Sequence, residues 1–464
     1  MWSCRPFLSR PRALLSGALA PTRRRRLTSP PVLLAAASRG QASHSRHGDR
    51  HEDHRTPSTS QQAARQHLYL VLGNVNDTIG IHKVDIDDDD DGDLSGAVDT
   101  DTAGSGTPGR LPEPPVMRIE PYPTLGVFPW FAGLGSNIIG IGSGNPRDLR
   151  KRDGVTLALD TNTAALTVLR DLPAGLRGGF DEHVAVAVGN RLYVIVYDLE
   201  KPRTGGMHCL KLREGANGGG GKDAGDELDP WIWHAAGSSR WFWSDKHCGQ
   251  KLPLSPGGIN CHAVHPAGSA FFVSVCCDEV ADHRDHGTFS YDTASGRWTR
   301  HGDWELPFEG QAHYDGELGA WVGLHADEDD LEADGFLCSC AVPDLDARDA
   351  PAPEWKLCGE QLFLADPARH IDAKLVSMGG GGRFCLVEVL TRGGLTARGL
   401  FAIKVREMLN REGCLDGNDK GMIRLTTFRV QRGDDGELTI TGRRHAGSYK
   451  VPPYYMDSLQ AFWM

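Results

Sequence analysis

The residues best suited to bind a metal ion are the carboxylates of the acidic run DIDDDDDGDL. Asp87, Asp89 and Asp91 stand at alternate positions ahead of a glycine, a spacing of oxygen donors that resembles the calcium loop of an EF-hand. The twelfth position of such a loop must supply a bidentate carboxylate, and here it is Val98. We therefore expect a solvated acidic loop without calcium.

A second candidate metal centre is a cysteine- and histidine-rich region between residues 247 and 286. Zinc needs four nitrogen or sulfur ligands arranged as a tetrahedron. Cys276 and Cys277 would point to opposite sides of a strand, and the sequence has no C-x2-C pair. Cys338 and Cys340 share a strand face, where packed thiols are expected before a metal or redox pair. We predict no metal ion and no cofactor, with the cysteines filling the core.

Three glycine-rich segments, GSGNP, GANGGGGKD and MGGGGRF, contain residues that can cradle a phosphate. None carries the G-K-[ST] of a phosphate loop, and none joins a strand to the start of a helix. The sequence also lacks a G-x-S-x-G nucleophile elbow and an H-E-x-x-H helix. The two Tyr, two His and cross-linking Cys of a galactose-oxidase-type copper site cannot be placed. These features favour a protein without enzymatic activity, and an enzyme is the alternative.

The formal net charge of −11 is unevenly divided along the 464 residues. Residues 1–66 contain twelve Arg, no Lys and three acidic residues, a net of +9, which leaves −20 for the rest. An acidic body repels phosphate and argues against a nucleic-acid partner. No apolar run reaches the length of a membrane span, and eleven Cys at irregular spacing indicate a reducing compartment.

The N-terminal segment has the composition of an organelle transit peptide. Residues 1–41 are rich in Arg, Ser, Ala and Leu, and the first acidic residue of the chain is Asp49. The stretch ALLSGALA is barely long enough for a secretory signal, and a disordered tail is the other alternative. The segment therefore predicts a mitochondrial or chloroplast location, with the cytoplasm as the alternative, and residues 42–66 read as a linker.

The elements that must position any site repeat along the chain. The segment GTFSYDTASGRWTRHGDWELPF, from Gly287 to Phe308, predicts two strands joined by a turn. The segment GVTLALDTNTAALTVLRDLP, from Gly154 to Pro173, repeats its Asp-Thr pair, its later Thr and its closing Leu-Pro. Each hairpin follows two more predicted strands, and four short antiparallel strands form one blade of a β-propeller.

The two ends of the chain complete the prediction of an all-β, six-bladed β-propeller over residues 67–464. Five full blades can be assigned between about residues 125 and 450. HLYLVLG, GIHKVDI and PVMRIEP supply only three strands of a sixth blade, and the chain finishes with SLQAFWM. If that last segment is the innermost strand of the first blade, the ring closes and leaves no open edge. This arrangement predicts that Phe462 and Trp463 are buried.

The repeated segments resemble those of known families. The D-T-x4-[WL]-T hairpins are similar to kelch-type propellers. More specifically, GTFSYDTASGRWTRHGDWELPFEGQAHYDGELGAWVGL, GFLCSCAV and the closing AFWM resemble a large family of uncharacterised plant proteins, expanded in grasses. That family is known as a domain of unknown function with a kelch-like propeller. The resemblance covers roughly residues 67–464, and it implies the fold but no activity.

The connections between strands supply the candidate binding residues. In a propeller, the connections between second and third strands and those from one blade to the next emerge on the same face, and binding residues commonly lie in such loops. The candidates are charged, histidine and aromatic side chains: Arg150, Lys151, Arg152, His283, His286, Trp304, His313, Tyr314, Asp329 and Asp330. We predict a non-enzymatic protein-interaction propeller with an unidentified protein partner. The alternative is a small-molecule binder or an enzyme that uses the central channel.

Overall fold

The computed structural model describes most of the chain from Gln66 to the C-terminus, and these residues belong to one compact unit, Gln66–Met464. The predicted transit peptide, the predicted linker up to residue 65 and the acidic run beyond Ile86 lie outside the described residues. The described ranges are 66–73, 78–86, 108–119, 130–142, 154–169, 172–173, 176, 182–198, 201–212, 231–235, 252–276, 286–325, 335–363, 367–392, 421–433, 436–451 and 459–464.

Regular structure in the described ranges consists of β-strands and short 3₁₀ turns such as Pro256–Gly258 and Pro367–Arg369. The strands form repeats of four antiparallel strands, numbered I to VI here. Repeat I combines the C-terminal strand with three N-terminal strands, in the order β25 (Gln460–Trp463), β1 (Leu68–Gly73), β2 (Ile79–Val84) and β4 (Met117–Ile119). The all-β class predicted from the sequence is confirmed.

Repeats II to VI each use four consecutive strands. Repeat II contains β5 (Trp130–Leu134), β6 (Asn137–Gly142), β7 (Val155–Asp160) and β8 (Leu166–Leu169). Repeat III contains β9 (Glu182–Val188), β10 (Arg191–Asp198), β11 (Lys201–Leu212) and β12 (Trp231–Ala235). Repeat IV contains β13 (Ile259–Val264), β14 (Ala270–Val275), β15 (Gly287–Asp292) and β16 (Arg297–Gly302).

The last two repeats are followed by the strand that returns to repeat I. Repeat V contains β17 (Glu309–Asp315), β18 (Ala320–Leu324), β19 (Phe336–Ala341) and β20 (Trp355–Gln361). Repeat VI contains β21 (His370–Ser377), β22 (Arg383–Thr391), β23 (Gly421–Arg432) and β24 (Leu438–Val451). The two-residue strand β3 (Gly109–Arg110) pairs in parallel with the outer side of β24.

The first strands of the repeats lie next to one another. β25 contacts β5, β5 contacts β9, and β9 contacts β13. β13 pairs in parallel with β17, which joins repeats IV and V into one eight-stranded sheet. β17 in turn contacts β21, and β21 contacts β25.

The apolar core is divided among the interfaces between neighbouring repeats. One cluster lies between repeats I and II, and others lie between II and III, III and IV, IV and V, and V and VI. A further cluster, which includes Leu70 and Val387, lies between repeats VI and I. Because both faces of each sheet are covered, the second strands of the repeats, such as β1 and β14, are mostly apolar without alternation. Every residue of β14, AFFVSV, is buried.

The repeated Asp-Thr pair builds a turn and anchors it to its own repeat. The Asp292 carboxylate accepts hydrogen bonds from two following backbone amides, at 2.7 and 2.8 Å. Thr293 donates both its backbone N–H and its hydroxyl to the carbonyl of Ser269, each at 2.8 Å. Thr161 bonds in the same two ways to the carbonyl of Ser136. The pair therefore ties the turn between third and fourth strands to the turn between first and second strands.

The C-terminal strand differs in burial from the sequence prediction. β25 pairs antiparallel with β1, with Phe462 opposite Tyr69 and Trp463 opposite Leu68. Phe462 and Trp463 are partly rather than fully buried, because β25 is an edge strand that pairs on one side only. Among the described residues, no helix is long and apolar enough to cross a membrane.

Candidate functional site

Most of the binding residues chosen from the sequence lie outside the described residues. These are the basic group, one of the three histidines and the acidic pair: Arg150, Lys151, Arg152, His283, Asp329 and Asp330. His286, Trp304, His313 and Tyr314 are described.

The described aromatic candidates do not form one patch. Trp304 follows β16, is partly buried, and donates its indole N–H to the carbonyl of Ala350 at 2.9 Å. Tyr314 lies near the far end of β17 and is 40% exposed. The two rings therefore lie near opposite ends of β17. His286 lies just before β15, where its carbonyl accepts a hydrogen bond from Arg300 at 3.2 Å.

His313 packs between the first strands of neighbouring repeats. Its Nε2 lies 2.9 Å from the carbonyl of Leu375 on β21, and burial lowers the pKa of its imidazole. His262 lies on the neighbouring strand β13, and burial lowers its pKa to about 4. Among the described residues no group hydrogen bonds with the buried Nε2 of His262. Both imidazoles are neutral at pH 7 and pack between repeats IV, V and VI.

The cysteines of the central repeats are buried thiols. Cys261, Cys338 and Cys340 belong to the cluster between repeats IV and V. Burial raises the pKa of Cys261 and of Cys340 to about 12, and the pKa of Cys338 rises for the same reason. In the described ranges, no three residues with metal-binding side chains lie close enough to hold one ion. These thiols are protonated at neutral pH and act as apolar packing.

A cleft between repeats III and IV brings polar side chains together. β10 and β11 are paired so that Arg191 lies opposite Lys211 and Tyr193 lies opposite Cys209. Side chains two residues apart on a strand share a face, so all four project on the same side of repeat III. Tyr291, at the end of β15, and the turn of residues 293–296 supply the opposite wall.

The cleft has a volume of about 420 Å³ and is closed at its base by aromatic rings. The rings of Tyr193 and Tyr291 meet edge to face with centroids 5.4 Å apart, and both residues are almost fully buried. The Arg191 guanidinium lies 3.4 Å from the Tyr193 hydroxyl and donates to the carbonyl of Thr293 at 3.2 Å. That last bond joins the two repeats. His234 lies at the exposed rim.

The described lining residues of this cleft include two basic side chains, those of Arg191 and Lys211. Asp292, which follows Tyr291 in the sequence, bonds to its own turn, and the backbone N–H of Ser295 is the first cause of its lowered pKa. Burial raises the pKa of Tyr291 to about 12, and it also raises the pKa values of Tyr193 and Cys209. All three are therefore neutral hydrogen-bonding groups at pH 7.

Sequence reasoning did not find this cleft. Tyr193 and Cys209 stand in apolar strands that read as core, and Arg191 follows an ordinary turn. The available signal was the alternation of Arg191 with Tyr193 on β10 and of Cys209 with Lys211 on β11. Which of these alternating positions face repeat IV depends on packing between repeats.

A buried ionic cluster in repeat VI was also missed. The Glu388 side chain is fully buried, with its Oε1 3.0 Å from His370 Nε2 and its Oε2 3.6 Å from Arg424 Nη1. The ring of Phe363 stacks on His370 with centroids 4.3 Å apart. The cluster links β21, β22 and β23 near the ends of these strands.

The arrangement of repeats defines the class of protein. Four-stranded antiparallel sheets with their first strands together and apolar clusters between successive sheets are the architecture of a β-propeller. Residues 65–449 match a family described as "Protein of unknown function (DUF1668)". The chain belongs to this family. A comparison with curated proteins gave no match.

Solved structures resemble the chain at low sequence identity. A xylan beta-1,4-xylosidase from Bacillus halodurans C-125 is 12% identical with a TM-score of 0.30, over 67% of this chain and 54% of the xylosidase. An endosialidase of phage phi92 is 8% identical with a TM-score of 0.33, over 70% of this chain and 58% of the endosialidase. The chain thus spans little more than half the length of either enzyme.

A third similar structure is described as a β-propeller domain. The β-propeller domain of the Trilobed protease from Pyrococcus furiosus is 8% identical with a TM-score of 0.27, over 70% of this chain and 97% of that domain. Similarity at this level carries no inference about activity.

Proposed function

We propose that this protein is a six-bladed, kelch-like β-propeller closed by its C-terminal strand, and that it acts as a non-enzymatic protein-interaction module. The order of first-strand contacts supports the closed ring, since it runs from β25 through β5, β9, β13, β17 and β21 back to β25. The cluster between repeats VI and I supports it too, because a sixth interface is needed only in a closed ring. In a closed ring, each repeat packs between two neighbouring repeats.

One observation supports the interaction role: within the described residues, burial keeps several thiol and imidazole side chains from serving as nucleophiles or bases. The thiols of Cys261 and Cys340 have pKa values raised to about 12, and the imidazole of His262 has a pKa lowered to about 4. These side chains stabilise the interfaces between repeats. A rigid ring of this kind presents its strand connections for binding, which is how many propellers and other rigid scaffolds recognise partners.

The test is affinity capture followed by reconstitution. The full chain is the bait, and plant extract is the first source because the hairpin segments resemble a plant family. The matched variants reverse charge in the two predicted binding connections, Asp329→Lys with Asp330→Lys and Arg150→Glu with Arg152→Glu. We expect one near-stoichiometric protein that binds the purified wild type and loses at least tenfold in affinity with one of these variants. Arg118→Glu, outside those connections, is the control.

An empty capture by correctly folded bait would contradict the interaction role. A captured protein that binds all variants and wild type equally would reject the two connections as its binding surface.

The second candidate function is small-molecule binding or catalysis in the channel enclosed by the first strands. Polar side chains on and next to these strands favour it. Asn260 on β13 donates to Glu305, which lies before β17, at 2.9 Å, and Lys374 lies 3.2 Å from Asp372 on β21. His262 and His313 lie on the same strands. Screening a metabolite library by thermal shift against wild type and Lys374→Met tests this function, and hits that the variant binds equally well would place the ligand elsewhere.

We also propose a mitochondrial or chloroplast location, because residues 1–41 are basic and contain no acidic residue. Residues 1–66 fused to a fluorescent reporter test the proposal. A reporter that stays in the cytosol would refute it.

A further inference from the structure

The outer strand of repeat II, β8, presents apolar side chains to solvent. Leu166 and Val168 are 48% and 47% exposed. Because they stand two residues apart, they project on the same side of the sheet. That side faces repeat I, since Leu166 lies opposite Leu159, which belongs to the cluster between repeats I and II. Leu169 projects on the other side and is buried between repeats II and III.

The same two residues direct their backbone N–H and C=O groups away from the sheet. The Asp160 N–H donates to the Ala165 carbonyl at 2.9 Å, and the pairing of β7 with β8 continues from there without a register shift. Hydrogen-bonded and non-hydrogen-bonded positions alternate along an antiparallel pair. Thr167 therefore bonds to β7, whereas Leu166 and Val168 face outward. No described strand pairs with this side of β8, and such an open edge is a template for another strand.

Most of the other described outer strands carry features that hinder pairing with another chain. β4 contains Arg118, and β16 contains Arg297, Arg300 and a register shift. β20 contains Lys356 and a register shift, and β24 has two register shifts and is already paired with β3. Charges and bulges of this kind protect sheet edges. β12 carries none of the large apolar side chains that are exposed in the described residues. β8, with the sequence LTVL, has neither a charge nor a proline nor a register shift.

The spacing of residues around Thr167 makes β8 complementary to itself. When two copies of β8 pair antiparallel about a two-fold axis at Thr167, Leu166 of each copy lies opposite Val168 of the other. These positions direct their backbone groups outward, so they exchange hydrogen bonds, and the two Thr167 residues form the non-hydrogen-bonded pair between them. Apolar pairs and Thr–Thr pairs are both favourable cross-strand neighbours. A shift of register by two residues would leave either Leu166 or Val168 beyond the end of the opposite strand.

We propose that this protein forms a two-fold symmetric homodimer in which the β8 strands of two chains pair antiparallel about Thr167. Closed two-fold dimers of this kind use the same surface on both subunits. The two copies of repeat II then form one continuous eight-stranded sheet, a sheet of the size that repeats IV and V already form within the chain. Association covers Leu166 and Val168 of both copies. Because the paired edge is short, the interface is small, and we expect a weak dimer with a Kd of roughly 10–100 μM.

The first experiment is sedimentation velocity of the full chain at concentrations from below to above this range. We expect the wild type to change from monomer to dimer as the concentration rises. Val168→Lys places a charge on the open edge, and its exposed position should leave folding intact, so its Kd should rise at least tenfold. Leu357→Lys is the matched control, because Leu357 is 37% exposed on the outer strand β20. It should dimerise as the wild type does.

Thr167→Cys tests the register of the pair. The two Cα atoms of a non-hydrogen-bonded pair lie about 4.5 Å apart, a separation that a disulfide can span. Oxidation with copper phenanthroline should link Thr167→Cys into covalent dimers, in clear excess over the wild type and over Thr439→Cys. Thr439 is an exposed threonine on the outer strand β24.

A folded wild type that stays monomeric throughout overturns the inference and would leave this edge to a different protein. A dimer that survives Val168→Lys overturns it as well, since another surface would then join the copies. A dimer that Val168→Lys disrupts but Thr167→Cys does not link would overturn the two-fold pairing about Thr167.

Discussion

The C-terminal strand should contribute a large fraction of the stability of this protein. Phe462 and Trp463 are successive residues of β25, so their side chains project to opposite sides of the strand. Phe462 packs on the cluster between repeats I and II, and Trp463 packs on the cluster between repeats VI and I. The Trp463 indole N–H also donates to Gln66 at 2.9 Å. The strand therefore joins three repeats.

The magnitude follows from this burial. Truncating a fully buried Phe or Trp to Ala costs about 3–5 kcal/mol. Since both side chains are only partly buried, we expect about 2 kcal/mol for Phe462→Ala and about 2 kcal/mol for Trp463→Ala. The two side chains contact different clusters, so their effects should add to about 4 kcal/mol in the double variant. That is a substantial part of a typical unfolding free energy of about 5–15 kcal/mol.

The assay is equilibrium urea unfolding followed by far-ultraviolet circular dichroism, because Trp463→Ala would alter a fluorescence signal directly. Trp355→Ala is the matched control: Trp355 is 47% exposed on the outer strand β20, and its loss should cost less than about 0.5 kcal/mol. If both C-terminal variants unfold at the urea concentration of the control, β25 does not hold the repeats together and the reasoning fails.

Three further predictions concern stability. Ala164 has a φ of 56°, a conformation that costs a non-glycine residue free energy, whereas a glycine, Gly296 with a φ of 69°, stands at the corresponding position of repeat IV. Ala164→Gly should therefore raise the free energy of unfolding by about 0.5–1 kcal/mol in urea titrations. A lower free energy of unfolding in this variant would contradict the assigned turn. Glu388→Ala removes the fully buried carboxylate that pairs with the partly buried Arg424, and it should cost about 3 kcal/mol by the same assay. Glu360→Ala removes a more exposed partner of an ion pair and should cost under about 1 kcal/mol. His262 is neutral in the folded state because burial lowers its pKa from 6.5 to about 4. The neutral His262 contributes fully to the free energy of unfolding above pH 6.5. About 3 kcal/mol of this free energy is lost as the pH falls from 6.5 towards 4, because the unfolded chain binds the proton more tightly. Urea midpoints at pH 7.5 and 4.5 should differ less in His262→Phe than in wild type, and an equal difference would assign the pH dependence to other groups.

Local features could be read from the sequence because they depend on neighbouring residues. The Asp292-Thr293 pair predicts a turn, since the carboxylate of the first residue bonds to amides two and three residues later. The alternation of side chains along a strand indicates that Cys338 and Cys340 share a face, and both are buried in one cluster. The burial of Phe462 and Trp463 was overestimated, because apolar character does not reveal that a strand lies at an edge.

The composition and order of residues by themselves determined the all-β class, most of the four-strand repeats and the turns, because each depends mainly on strands that follow one another along the chain. The tertiary structure alone decided the cleft. Arg191 bonds to the carbonyl of Thr293, 102 positions later in the chain, and Tyr193 meets Tyr291 edge to face. Alternation along β10 places Arg191 and Tyr193 on one face, but only the packing of repeat III against repeat IV determines which residues that face meets. Contacts between whole sheets have no signature in local spacing, so a cleft built from them cannot be read from the sequence of either repeat.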